Sequence, residues 1–516
     1  MTSSAPHVPS QSPAPAPAVA APPPRSRWGG DSGARVGDLY GRLLALIFLI
    51  AWISLGRQVR LLIGTRGIQP LGDFIEAIRA RGDVSFIDFP TVFWWVHGDA
   101  ALVGGTVAGA LLAIAALTGI RPRLCFALSI ALYLSYATAC RTFLSFQWDN
   151  LLLECGLLAS FLPPGRASPL THFLFRLVLF KVYFESGIAK WQSPIRDWHD
   201  GSAMTFYYET APLPTFVGWW AHNLPAAWHH FESRAVLVLE LIVPFAIFGT
   251  RRLRLLSAAL FTGFQILNIA TANYGFFCYL ALALHVFLLD DGDVERAQHA
   301  LERRLPAALR QVLERRRAAA SAAPPPATRT STKAARAGAA AFIFISLLQG
   351  LFEFTDSGES LSVFGKVLEA EQPFRLINTY HLFQAITRDR IEPEFQTSAD
   401  GGQTWTSHDL RHKAGDPSRA PDFVAPHQPR VDFQLWFYGL AFQRREPSYV
   451  AMLVERLCND PSAVESLFPA ALPAHPDAVR IVYWRYHFTT RAQRRETGAW
   501  WRRESVGATR PVPCDR

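Results

Sequence analysis

Ala100-Ala-Leu-Val-Gly-Gly-Thr-Val-Ala-Gly-Ala-Leu-Leu-Ala-Ile-Ala-Ala-Leu-Thr-Gly-Ile120 runs without one charged side chain. About 20 apolar residues in a helix bridge the hydrocarbon core of a bilayer, so this stretch is long enough to cross and asks nothing polar of the lipid. Leu253–Ala272 reads the same way. Seven weaker stretches flank these two: Leu39–Leu55, Leu124–Leu144, Phe146–Leu162, His172–Ala189, Ala235–Thr250, Tyr274–Leu289 and Ala337–Phe352. The expected fold is a polytopic α-helical membrane bundle of about 8–9 spans, because the Phe146, Ala235, Tyr274 and Ala337 segments are short enough to be re-entrant. Composition agrees, with 50% hydrophobic and 18% charged residues against about 25% charged in a soluble domain. A disordered chain, a collagen and a typical soluble enzyme are excluded.

The 51 Lys and Arg outnumber the 42 Asp and Glu, but the arginines cluster between apolar stretches instead of forming a nucleic-acid stripe. No nucleic-acid partner is expected. Lys and Arg accumulate in cytoplasmic loops. That rule puts the N-terminus, Arg121/Arg123, Arg166, Arg251–Arg254 and the stretch 291–336 inside, and the C-terminal region outside. Arg57, Arg60, Arg66, Arg79 and Arg81 then fall on the outer side, in a loop that also carries Asp73, Glu76, Asp83 and Asp88.

Five regions follow. Residues 1–35 form a Pro/Ala-rich cytoplasmic tail too polar for a packed core or a signal peptide, so export relies on the first span. Residues 36–290 form the membrane domain. Residues 291–336 combine a basic amphipathic segment with a linker containing Pro324, Pro325 and Pro326. Residues 337–352 are the last span, and 353–516 an exported β-rich domain. Ile391–Thr397, Thr404–Leu410, Asp432–Phe437 and Val479–Thr489 read as strands from their alternation. Ser398-Ala-Asp-Gly-Gly-Gln-Thr-Trp405 reads as an Asp-box hairpin whose Asp holds the turn while the Trp packs beneath it. The six cysteines lack any CxxC spacing. Cys125, Cys140, Cys155 and Cys278 fall in apolar runs as packing residues, and Cys458 and Cys514 can pair if their domain faces an oxidising compartment.

The densest polar cluster is Arg141, Gln147, Asp149, Asn150 and Glu154, followed by Arg176, Lys181 and Glu185. A carboxylate facing lipid is costly, so these groups face protein or a wet cavity. One reading pairs Arg141, Lys181 and Arg176 with Asp149, Glu154 and Glu185 as internal ties; the other makes them the lining of a substrate cavity. Lys190, next to Trp191, is either an interfacial anchor or, since lysine loses its proton readily when desolvated, a general base. The outer loop from Trp191 to Ser233 carries Trp198, Trp219, Trp220 and Trp228, a client-binding or membrane-facing surface. His222, His229 and His230 lack a compact ligand spacing, so no metal site is expected. Glu240, Gln265, Asn268 and His285 fall inside later spans as interhelical glue. Gly105 and Gly109 mark a close helix contact. No P-loop, dinucleotide fingerprint, HExxH or GxSxG motif is present in a usable context, and no cofactor is expected.

Phe143–Glu154, Leu62-Ile-Gly-Thr-Arg-Gly-Ile-Gln-Pro70, Phe206-Tyr-Tyr-Glu-Thr-Ala-Pro-Leu-Pro214, Ala425-Pro-His-Gln-Pro-Arg-Val-Asp-Phe-Gln-Leu-Trp-Phe437 and Thr497-Gly-Ala-Trp-Trp-Arg-Arg503 resemble the lipase maturation factor family. The resemblance covers about residues 36–289 and 374–507. It implies a multi-pass protein that helps exported clients, lipases among them, to fold or assemble, and not a lipase. The membrane domain is more distantly similar to the vitamin K-dependent gamma-carboxylase, where a pattern like Tyr183-Phe-Glu-Ser-Gly-Ile-Ala-Lys190 holds the catalytic lysine. That similarity implies a rival: an integral-membrane enzyme with Lys190 as base, supported by Glu185 or Glu154, acting on a lipid or peptide. A shared fold does not by itself transfer chemistry. The six Asn residues lie in no N-x-S/T sequon and Pro513-Cys-Asp-Arg516 is not a retention signal, so the setting reads as a bacterial inner membrane with a periplasmic C-terminal domain, or the endoplasmic reticulum membrane in a eukaryote. A bacterial setting would replace the animal clients with its own exported proteins.

Overall fold

The structure, a computed structural model, describes residues 33–163, 165, 168–304, 333–355, 362–441 and 447–514. The expected tail before residue 33, Arg166 and the linker around Pro324–Pro326 lie outside the described residues. The membrane domain comprises α1 (Ala34–Gly56), α2 (Asp99–Leu117), α3 (Pro122–Ala139), α4 (Gln147–Ala159), α5 (Pro169–Trp191), α6 (Ala203–Thr210), α7 (Phe216–His222), α8 (Ala226–Leu241), α9 (Arg251–Thr271), α10 (Phe277–Leu284), α11 (Asp291–Glu302) and α12 (Lys333–Phe354).

Four of these, α1, α2, α9 and α12, are long and apolar enough to cross a membrane. The other apolar stretches are helical in a different way. α5 has 23 residues but carries Arg176, Lys181, Glu185 and Lys190. The Phe146 stretch is the 13-residue α4. The Ala235 stretch leaves the α-helix at Leu241 for a 3₁₀ turn, Val243–Phe248, where Pro244 supplies no backbone N–H to continue the ladder. The Tyr274 stretch is α10 followed by a 3₁₀ turn, His285–Leu288. The glycine contact is real: a Cβ on Gly109 would stand 2.2 Å from the Trp52 ring, and one on Gly105 would stand 2.2 Å from the Tyr136 hydroxyl. The Trp52 ring of α1 and the Tyr136 phenol of α3 therefore fill the room that the two glycines leave on α2.

The two ends of the bundle carry different chemistry. At one end the Asp291 carboxylate accepts the N–H groups of Ala34, Arg35 and Val36, each at 3.0 Å, satisfying the exposed donors of the α1 N-terminus. Arg251 and Arg254 pair with Asp290 there at 3.0 and 2.8 Å. At the other end sits the C-terminal domain. Arg66, one of the arginines that offends the charge rule, pairs there with Asp460 and donates to Ser462 Oγ at 2.7 Å.

The C-terminal domain contains β1 (Arg390–Ser398), β2 (Thr406–His408), α13 (Arg430–Leu440), α14 (Ser448–Asn459), β3 (Ala478–Phe488), β4 (Trp501–Ala508) and β5 (Val512–Pro513). The strands form one antiparallel sheet ordered β2-β1-β3-β4, with β5 also on β3. The expected strand Asp432–Phe437 is instead helical. Val431, Leu435 and Tyr438 recur at the helical period and are buried, so packing on the sheet overrides the local alternation. The Asp-box hairpin forms as expected: Asp400 Oδ1 accepts from the N–H of Gln403 and Thr404 at 3.0 and 2.9 Å, and Trp405 Nε1 donates to Gly402 O. Hydrogen bonds from the Thr404 hydroxyl and N–H hold the Asp400 carboxyl down to about 2. Cys458 and Cys514 are disulfide-bonded, fastening the end of the chain to α14, and the four other cysteines are free and buried.

Candidate functional site

The polar residues of α4 and α5 converge on one segment, residues 376–386, which lies against the bundle as an irregular strap. Its main chain is held by side chains of the membrane domain. The Tyr380 N–H donates to Glu185 Oε2 at 2.9 Å, the His381 N–H to Gln147 Oε1 at 3.0 Å, the Leu382 N–H to Ser186 Oγ at 3.3 Å and the Ile386 N–H to Asp197 Oδ2 at 2.8 Å. In return Lys190 Nζ donates to Leu382 O at 2.7 Å and Trp198 Nε1 to Phe383 O at 3.2 Å. A strap without a sheet partner is satisfied this way because buried main-chain groups must find hydrogen bonds. Phe383 holds a φ of 54°, a left-handed conformation that a bulky side chain adopts only under constraint. Its ring packs against Tyr207 and Tyr274.

Two carboxylates of α4 form buried ion pairs. Lys181 Nζ meets Glu154 Oε1 at 3.0 Å and Ser346 Oγ of α12 at 3.3 Å, while the Tyr380 hydroxyl donates to the other Glu154 oxygen. Asp149 does not pair with Arg141. It receives the Arg430 guanidinium of α13 on both oxygens, at 2.5 and 2.8 Å, plus the Tyr133 hydroxyl at 2.6 Å. Arg141 stacks on the Phe74 ring at 4.1 Å and Arg176 donates to Phe287 O at 2.8 Å. Of the expected internal ties only Lys181–Glu154 forms, because the C-terminal domain supplies the missing partners. Next to Arg430, His427 Nδ1 shares a hydrogen bond with Ser54 Oγ at 2.8 Å. Burial, and then the nearby Arg57, push His427 down to about 4.

Lys190 has a different setting. It is 2% exposed, meets Glu240 Oε2 at 2.7 Å and lies 5.3 Å over the Trp198 ring. Glu240, not Glu185 or Glu154, is its carboxylate. The pair lines a cavity of about 50 Å³ together with Tyr183, Tyr207, Gln265 and Asn268, roofed by Leu382 and Phe383 of the strap. Gln265 Nε2 donates to the Tyr183 hydroxyl at 2.9 Å, and the Tyr207 hydroxyl donates to Asn268 Oδ1 at 3.1 Å. The lining is mostly apolar and the volume that of a few waters at most, with the ion pair at its edge.

The aromatic outer loop divides. Trp191, Trp220 and Trp228 are 55%, 46% and 46% exposed, whereas Trp198 and Trp219, expected on the same surface, are buried. Trp219 is covered by Tyr486, Phe488 and Trp501 of the sheet, and Arg494 stacks on the rings of both Trp219 and Trp500. Glu209 completes this joint, accepting from the Phe488 N–H at 2.7 Å. Asn150 and Gln147 lie at the edge of a separate polar cavity. Sequence reasoning missed Arg430, Tyr380 and Asp197. Arg430 stands in the Ala425–Phe437 string, but nothing local says that it reaches a carboxylate 281 positions away. Among the described residues, no group of three or more His, Cys, Asp or Glu is gathered to hold a metal ion.

Comparison with known proteins covers both halves of this arrangement. Residues 36–296 match the family model "Lipase maturation factor transmembrane domain" and residues 376–511 match "Lipase maturation factor C-terminal domain". The chain is 28% identical to lipase maturation factor 1 of Bos taurus, covering 90% of this chain and 86% of that protein. It is 28% identical to lipase maturation factor 2 of Xenopus tropicalis (92% and 81%) and 29% identical to that of Homo sapiens (91% and 81%). No solved structure matches.

Proposed function

The chain belongs to the lipase maturation factor family, and we propose that it is an integral-membrane maturation factor that assists folding or assembly of exported proteins, with lipases as the client class. The observation that carries this reading is the family match across both the membrane domain and the C-terminal domain, which the strap and the Asp149–Arg430 pair join into one unit. Trp191, Trp220 and Trp228 remain exposed beside that joint and offer apolar surface of the kind an unfinished client would cover. The mechanism proposed is chaperone-like: clients bind at the aromatic loop and the C-terminal domain, beside the lipid bilayer.

We further propose about 8–9 membrane-embedded segments, the shorter ones re-entrant, and a C-terminal domain on the outer side, periplasmic in a bacterium. Two features support this orientation. Asp290, Asp291, Arg251 and Arg254 gather at the end opposite the C-terminal domain, as the loop-charge bias asks. The Cys458–Cys514 disulfide suits an oxidising compartment.

Deleting the gene and measuring the folded, active fraction of exported proteins tests the reading. Loss of lipase activity at unchanged lipase synthesis supports it, and an unaltered exported set defeats it. A second reading, the integral-membrane enzyme with Lys190 as base, is favoured by one observation: the Lys190–Glu240 pair lines a cavity instead of being sealed. Lys190→Ala and Lys190→Arg separate the two readings, since arginine preserves the ion pair but cannot act as a base near neutral pH. Activity in the Arg variant argues for the maturation factor alone.

A further inference from the structure

Between α1 and α2 the chain carries an aromatic loop, Ser85-Phe-Ile-Asp-Phe-Pro-Thr-Val-Phe-Trp-Trp-Val96. Phe86, Ile87, Val92, Trp95 and Val96 are between 46% and 69% exposed, and the rings of Phe86 and Trp95 face each other at 5.6 Å. Large apolar side chains grouped on a surface mark a partner. The height of the loop identifies which. α2 has 19 residues, about 28 Å at 1.5 Å per residue, which only just matches a hydrocarbon core of about 30 Å. Its first turn therefore stands at the membrane boundary. The Tyr136 hydroxyl of α3 donates to Leu102 O in that turn, and the buried Phe93 ring packs on Tyr136 at 4.8 Å. At the same level the Thr91 hydroxyl donates to Ser135 O at 3.0 Å and the Val92 N–H to Ser135 Oγ at 3.2 Å. The loop thus lies alongside the first turn of a span and not above it.

This is the end that carries the C-terminal domain, because Asp99 at the start of α2 accepts the Thr65 N–H at 2.8 Å and the adjacent Arg66 reaches Asp460. The polar groups of the loop suit a headgroup layer. Asp88 accepts from the N–H and the hydroxyl of Ser85 at 2.9 and 2.6 Å, and Asp83 pairs with Arg81 at 2.7 Å. Arg79 lies 5.9 Å from the Trp94 ring centroid and donates to Trp94 O. Tryptophan sits by preference at the membrane–water boundary, and an apolar face anchored there enters the leaflet by about 5–10 Å. We propose that residues 85–96 dip into the leaflet nearest the C-terminal domain as an anchor that does not span it. Phe86, Ile87, Trp95 and Val96 lie among the acyl chains, and Arg79 stands at the lipid phosphates. A client or a second copy of the chain would have to cross lipid to reach these rings. The inference requires that α2 cross the membrane and does not rest on the maturation-factor reading.

The test uses the full chain in phosphatidylcholine nanodiscs with a nitroxide attached at Phe86→Cys or Trp95→Cys, one site at a time. Labels at Leu111→Cys, on the exposed side of α2, and Ser505→Cys, in β4, mark lipid and water. The four free cysteines are buried, and labelling of the unaltered chain gives the background. Power saturation then compares collisions with oxygen, which concentrates in lipid, and with a nickel chelate, which stays in water. The oxygen-to-nickel ratio at positions 86 and 95 is expected to exceed that at Ser505→Cys at least threefold and to approach that at Leu111→Cys. Val96→Cys carries the same reading if either loop variant fails to fold. A ratio equal to that at Ser505→Cys puts the loop in water, and shielding from both reagents puts it under protein; either result overturns the proposal. A water-like ratio at Leu111→Cys overturns α2 as a span and the proposal with it, and leaves the maturation-factor reading to its own test.

Discussion

Lys181 and Lys190 sit on one helix, two and a half turns apart, both buried and both paired with a glutamate. Around Lys181 every neighbour is spoken for: Glu154 takes the ammonium on one oxygen and the Tyr380 phenol on the other, and Ser346 completes the shell. Around Lys190 the pair borders a cavity whose walls carry phenols and amides. The difference teaches that burial and pairing alone do not identify a working residue. A charge sealed on all sides fastens helices together; the same charge beside space is able to meet something that arrives later.

Removing the Lys181 ammonium should have the largest effect. Lys181→Ala leaves Glu154 buried without its cation and should cost about 3–5 kcal/mol, read as a fall in the melting temperature of detergent-solubilised protein. Tyr380→Phe should follow at about 1.5–3 kcal/mol, the range for a hydrogen bond to a charged group. Lys190→Ala should cost less than Lys181→Ala, about 1–3 kcal/mol, since water entering the cavity can solvate Glu240. Equal losses at the two lysines would erase the contrast. The smallest effect is a pH response at His427, which joins the C-terminal domain to α1. Its pKa is about 4 in the folded chain and about 6.5 when unfolded, so the unfolded state binds more protons between those values. Stability should be whole above about pH 6.5 and decline as pH falls toward 4. His427→Gln should flatten that slope in a urea titration series.

How much of this was legible in sequence depends on the range of the interaction. Ala100–Ile120 announces a span because length and hydropathy are local properties, and Asp400 announces its hairpin because the groups it binds lie within four positions. The Lys181–Glu154 tie was one of three guessed pairings, and the other two failed because Asp149 looks to Arg430 and Glu185 to the Tyr380 N–H. Those partners belong to the far end of the chain, and no periodicity encodes a bond across domains. Trp198 and Trp219 misled for the same reason: indole rings in a polar loop read as exposed until the strap and the sheet that cover them are known. The helix at Arg430–Leu440 was hidden by an alternation that tertiary packing overrides.

The Asp291 carboxylate has a consequence for synthesis. It closes the start of α1 although it is encoded 257 positions downstream of Ala34. At about 5–20 residues per second, a ribosome needs roughly 10–50 s to reach it. During that interval α1 stands in the membrane with its leading N–H groups served by water, and it is completed only when the start of α11 returns to meet it. A nascent chain that stalls before residue 291 thus carries an unfinished α1, so incomplete translation shows at a helix made long before the stall.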